Sequence, residues 1–162
     1  MSCLSYVGFD VFNQGVLEMN LVPGARILCV DEDLYSSQWV KQSLKLASVS
    51  AAVTNAASGR DAFMLLNREV FDLCIVEYPL PDMTGVQLCT LLRQSGSGIP
   101  LMFFTAMNRP VDREKAAASG ADDYLCKPDD LDMFIPAVNR LLKRRRPIYA
   151  QTRRCLDMSK AA

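Results

Sequence analysis

Short apolar runs alternate along this chain with longer stretches in which apolar residues return every three or four positions. Ile27–Val30, a weaker Ala51–Thr54, Leu73–Val76, Leu101–Phe104 and Asp122–Cys126 predict five strands. Their largely unbroken apolarity implies burial on both faces, as in a parallel sheet covered by helices. Helical spacing falls between them, over 34–47, 59–68, 84–94 and 111–119. A fifth helix follows Lys127, where Leu131, Phe134, Ile135, Val138, Leu141 and Leu142 form one apolar stripe. Pro136 interrupts it and either starts the regular helix or kinks it, because proline lacks a backbone donor. The alternation predicts an α/β domain, a doubly wound parallel sheet with helices on both faces.

In an open sheet of this kind the binding crevice lies at the carboxyl ends of the strands. The residues there are mostly acids: Asp31, Glu32 and Asp33 after the first strand and Glu77 after the third. Thr105 ends the fourth, and Lys127 with Pro128 the fifth. Carboxylates with one ammonium and one hydroxyl make a hard-oxygen site suited to magnesium and a transferred phosphoryl group. Asp33, just before a helix, is expected to cap it. Tyr124 reads either as a two-position switch or as a half-buried ring closing the sheet edge. Cys126 is expected to be a small core filler.

Composition narrows the classes. Half of the 162 residues are hydrophobic, enough for one core. Bases and acids both number 18, so net charge argues for neither nucleic acid nor a membrane. Charge is unevenly spread, however. Residues 1–25 hold Asp10 and Glu18 and no base, whereas 140–162 hold eight bases against Asp157. Four of those bases, Lys143 to Arg146, read as solvated helix-end charge or linker, and direct nucleic-acid binding is not expected. Six cysteines without CxxC spacing, and no histidine, argue against zinc and suit buried thiols in a reducing cytoplasm. No signal peptide or membrane span is evident. Residues 1–25 are nonetheless too apolar for a solvated tail and are expected to pack on the domain or on a second copy.

The ordered motifs ILCVDED, Glu77 with Pro81 and Gly85, FFTA and ADDYLCKP resemble those of response-regulator receiver domains of two-component signalling. The resemblance covers residues 26–145, leaving 1–25 as an N-terminal extension and 146–162 as a tail or linker. It implies a flavodoxin-like sheet of strand order 2-1-3-4-5 with five helices. It also implies magnesium at Asp31 and Glu32, with Glu77 as a third donor, and no organic cofactor. Thr105 matches the hydroxyl switch, Tyr124 the aromatic switch and Lys127 the family's lysine, while the Lys127–Pro128 bond matches one that is cis in the family.

The departure is Glu77, which stands where the family places the aspartate that becomes an acyl phosphate. Its extra methylene carries the oxygens about 1.5 Å further out. A 1 Å error in attack geometry costs on the order of 100-fold, so efficient phosphorylation is not expected. Three readings follow: Glu77 imitates the activated state, it merely pairs with Lys127 or a metal, or it is phosphorylated slowly. If the switch operates as in the family, the face formed by the fourth helix, fifth strand and fifth helix is the readout for a protein partner, an output domain or a second copy. Met107, Val111, Arg113, Lys115 and Tyr124 are expected on it. An inert receiver-like scaffold and a flavodoxin-like electron carrier are the competing classes, the latter disfavoured because Asp31, Glu32 and Asp33 would repel a bound phosphate. Substrate turnover is not expected, since the chain lacks a histidine base and a GxxxxGK loop.

Overall fold

The structure, a computed structural model, describes residues 24–144. Residues 1–23 of the N-terminal extension, with the packing expected of them, and residues 145–162 lie outside the described residues. Within them five strands form one parallel sheet in the order β2-β1-β3-β4-β5. The strands are β1 Ala25–Val30, β2 Ala51–Ala56, β3 Leu73–Val76, β4 Leu101–Thr105 and β5 Asp123–Cys126. The helices are α1 Leu34–Leu46, α2 Gly59–Arg68, α3 Gly85–Gln94, α4 Pro110–Ala118 and α5 Phe134–Lys143. The fold expected from the sequence is therefore the one found, with small differences at element ends.

Because side chains alternate along a strand, each central strand feeds two cores. Leu28, Val30, Cys74, Val76, Leu101 and Phe103 enter one, which α2, α3 and α4 cover with Ala62, Leu88, Leu92 and Ala116. Ile27, Cys29, Leu73, Ile75, Met102 and Phe104 enter the other, beneath Val40 and Leu44 of α1 and Phe134, Val138 and Leu141 of α5. Double coverage explains why these strands read as continuous apolar runs. No helix among the described residues is long and apolar enough to cross a membrane.

Local chemistry sets the helix starts. Asp33 caps α1 as expected, accepting from the Tyr35 N–H at 2.9 Å. Thr84 and Gln87 form a reciprocal capping box on α3. Pro136 falls in the first turn of α5, behind a 3-10 turn over Leu131–Met133. The N–H groups of a first turn have no intrahelical partner, so proline forfeits nothing there. Gly85 answers a different need. A Cβ on it would sit 2.6 Å from the Glu77 carbonyl oxygen and 2.7 Å from Phe103. We expect Gly85→Ala to cost about 1–3 kcal/mol through overpacking, read as a lower urea midpoint with unchanged slope.

Register then places the site. Val30 pairs with Val76 and Val76 with Phe103, while Thr105 pairs with Cys126. The residues that follow β1 and β3, Asp31 and Glu77, thus emerge side by side, and the Glu77 N–H donates to Val30 O at 3.0 Å. The order reverses between β1 and β3, where α/β sheets open a crevice.

Candidate functional site

Lys127 leaves the end of β5, its N–H donating to Thr105 O at 2.7 Å, and the Lys127–Pro128 bond is cis. Its side chain crosses to the end of β3, where Nζ lies 3.0 Å from Glu77 Oε2. Asp31 Oδ2 is 3.7 Å from the same ammonium and Ser36 Oγ is 3.5 Å away. The ammonium also stands 4.8 Å above the Phe104 ring. Glu77 Oε1 accepts from the Tyr78 N–H at 2.8 Å. Both Glu77 oxygens are thus engaged, and its charge is answered by a lysine only 25% exposed.

The two expected switch residues meet through one residue of backbone. Thr105, fully buried, accepts at Oγ1 from the Met107 N–H at 3.2 Å. Met107 O in turn accepts from the Tyr124 hydroxyl at 2.8 Å. Tyr124 is 6% exposed, so it is neither half-buried nor part of the outer face as the sequence led us to expect. Its ring stacks on Phe103 at 5.6 Å and is covered by the Arg113 guanidinium at 4.8 Å. Val111 and Lys115 of α4 are exposed.

The strand ends thus bring two carboxylates and a lysine together, with a buried threonine on the neighbouring strand. A family model described as the response regulator receiver domain matches residues 27–139. The chain is a receiver domain. It is 34% identical over 134 residues to the transcriptional regulatory protein PcoR of Escherichia coli, a match covering 83% of this chain and 58% of PcoR. Against the response regulator MprA of Mycobacterium leprae (strain TN) it is 30% identical, over 75% of this chain and 53% of MprA. The chain thus spans somewhat more than half the length of these relatives. Among solved structures, the Francisella response regulator 1452 receiver domain superposes with a TM-score of 0.68 at 28% identity, over 75% of this chain and 99% of that one. Receiver domains of response regulators are signalling modules of two-component systems, and as a class they take magnesium at the phosphorylation site.

Within this receiver domain the three carboxylates expected to hold magnesium are unevenly placed. Asp31 and Glu77 face one another across the Lys127 ammonium, whereas Glu32 is exposed on the surface. Among the described residues no three acidic, histidine or cysteine side chains form a group set to hold a metal. Magnesium commonly takes only one or two carboxylates and completes its shell with water, so the oxygen chemistry fits. A bound ion and Lys127 would draw on the same oxygens.

Cys29, Cys74, Cys89 and Cys126 are buried and unpaired, and burial pushes each thiol up, Cys29 to about 12. Cys126 is the core filler expected, its Sγ against Met107 O at 3.2 Å. Burial likewise raises the Tyr124 phenol, to about 12. The folded state holds that proton more tightly than the unfolded chain, whose phenol titrates near pH 10. Stability from this group is therefore complete below about pH 10 and is lost as pH rises through the folded value. We expect urea midpoints to fall more steeply across this alkaline range in the wild-type chain than in Tyr124→Phe.

Ser36 and Phe104 were not singled out in the sequence as parts of the site, and Arg113 was named only for the outer face. A serine in a first helical turn and a phenylalanine in an apolar strand carry no signal of their own. Only the alternation that sends Phe104 to the α1/α5 side could have hinted at its place beneath Lys127. Asn55 was missed too: its Nδ2 donates to Asp31 O at 3.3 Å while its Oδ1 is buried without a partner.

Proposed function

We propose that this receiver domain regulates its partner by protein–protein contact without needing a phosphoryl group, Glu77 acting as a built-in anion at the phosphoacceptor position. The observation that carries this reading is the 3.0 Å pair between Glu77 Oε2 and Lys127 Nζ. Lysine is the group that would otherwise balance a phosphoryl charge, and here a carboxylate already holds it. The mimicry is partial, since a phosphoryl group brings about −1.5 to −2 charge and three acceptor oxygens against −1 and two. Thr105 is bonded to Met107, so the hydroxyl switch is served by backbone, while the Lys127 ammonium balances one of the two carboxylate charges beside it.

Thr105 and Tyr124 form the relay in this reading, Lys127 with Pro128 the anion-binding turn, and Asp31 with Glu32 and Glu77 the donors for magnesium, which supplies charge neutralisation when bound. Readout falls to the α4–β5–α5 face of a domain spanning residues 26–145, flanked by an extension at 1–25 and a tail at 146–162. PcoR is named a transcriptional regulatory protein, which supports an output domain or a separate protein as partner, with self-association on the same face as a further form. The domain itself contacts no nucleic acid, turns over no substrate and works in the cytoplasm. Intact mass after incubation with acetyl phosphate and magnesium tests the proposal: no added phosphoryl mass is expected, and a stoichiometric adduct on Glu77 overturns it.

A further inference from the structure

Arg113 reaches out of α4 and engages both β5 and the turn that follows it. Its Nη1 donates to Tyr124 O at 2.8 Å, and its guanidinium carbon lies 4.8 Å from the centre of the Tyr124 ring. Nη2 is 3.5 Å from Asp130 Oδ2. Asp130 in turn closes the turn that carries Lys127: its Oδ2 accepts from the Cys126 N–H at 2.8 Å, and its own N–H donates to Cys126 O at 2.8 Å. One side chain therefore touches the readout helix, the switch aromatic and the turn of the anion-binding lysine.

We propose that Arg113 is a positioning residue that straps α4 to β5 and to the Lys127 turn, holding Tyr124 in its buried setting. The proposal rests on the reading that the state of position 77 is passed to the α4–β5–α5 face, and it names the side chain through which that passage runs. The ion pair with Asp130 is too exposed to suffice alone, the arginine side chain being 52% accessible. What distinguishes the arrangement is that a planar fork lies on an aromatic ring while donating in two directions. Lysine, a point charge with no planar face, cannot do both. For Tyr124 to swing outward the guanidinium must leave the ring, and its bonds to β5 and to the Lys127 turn are lost in the same movement.

The test uses the full chain as wild type, Arg113→Lys and Arg113→Met, treated with tetranitromethane and mapped by peptide mass, with amide hydrogen exchange measured in parallel. Tyr35, 77% exposed, is the internal reference. In wild type Tyr124 is expected to nitrate at least tenfold more slowly than Tyr35. In both variants its rate rises severalfold while that of Tyr35 is unchanged, and amides of α4 and of residues 126–130 gain exchange together. Asp130→Asn keeps an oxygen for the Cys126 N–H but drops the charge, and it covers the case in which Arg113→Met does not fold. A smaller rise of the same kind is expected from it, and no rise overturns the link to the Lys127 turn. Continued protection of Tyr124 in both Arg113 variants overturns the strap, whatever position 77 does. Release by Arg113→Met but not by Glu77→Gln leaves the strap standing and removes instead the reading that the Glu77 charge sets the switch.

Discussion

An aspartate at position 77 is expected to accept a phosphoryl group far faster than Glu77. With acetyl phosphate and magnesium, Glu77→Asp should gain one phosphoryl mass at least about 100-fold faster than the wild-type chain. In that reaction a carboxylate oxygen attacks phosphorus while the bond from phosphorus to the acetate oxygen breaks, and acetate leaves with the electron pair. Reaction needs an oxygen held in line with the leaving group and room for phosphorus beyond it. Neither is expected of Glu77, whose Oε1 accepts from the Tyr78 N–H and whose Oε2 lies 3.0 Å from Lys127 Nζ. Shortening the side chain by one carbon withdraws the oxygens by about 1.5 Å and opens the gap to Lys127 that a phosphoryl group would fill. Labelling of both proteins at similar rates would show that the methylene is no barrier. Labelling of neither would mean that the pocket no longer supports transfer, and would favour the scaffold.

What the sequence disclosed and what it hid divide along a physical line. The core strands were legible because burial on both faces leaves an unbroken apolar run, and the site residues because each follows such a run directly. β2 was underread by two residues because it is an edge strand, where Asn55 is tolerated beside the apolar positions. Contacts made across the sheet were not legible. Phe104 meets Lys127 only because β4 and β5 share a register, and Ser36 meets it only because α1 packs over the same end. Tyr124 was misjudged for a related reason. Its burial depends on Phe103 beneath it and on an arginine from a separate helix above it, and no local pattern in ADDYLCKP encodes either. Glu77 was visible at once as an acid in an acid's place, but its pairing with Lys127 and with the Tyr78 N–H was not.

Replacing Lys127 by methionine should lower stability by about 3 kcal/mol, the low end for breaking a buried ion pair, and with it Tm by roughly 10 °C for a domain of this size. The low end is appropriate because the lysine side chain is 25% exposed while those of Asp31 and Glu77 are 9% and 14% exposed. Without the ammonium, two carboxylates face each other with no counter-charge among their described contacts. Methionine keeps an apolar stem over the Phe104 ring, so little packing is lost and the change reads as electrostatic. Two controls separate that from general damage. Glu77→Gln in the Lys127→Met background removes one of the stranded charges and should recover part of the loss, a coupling of about 1 kcal/mol or more in a double-mutant cycle. Magnesium should raise Tm further in Lys127→Met than in wild type, because only there are the same carboxylates left without a cation. A Tm within a degree or two of wild type would mean that solvent already screens the pair. Glu77 would then be an acid beside a lysine rather than one anchored by it, and the built-in anion would lose its physical basis.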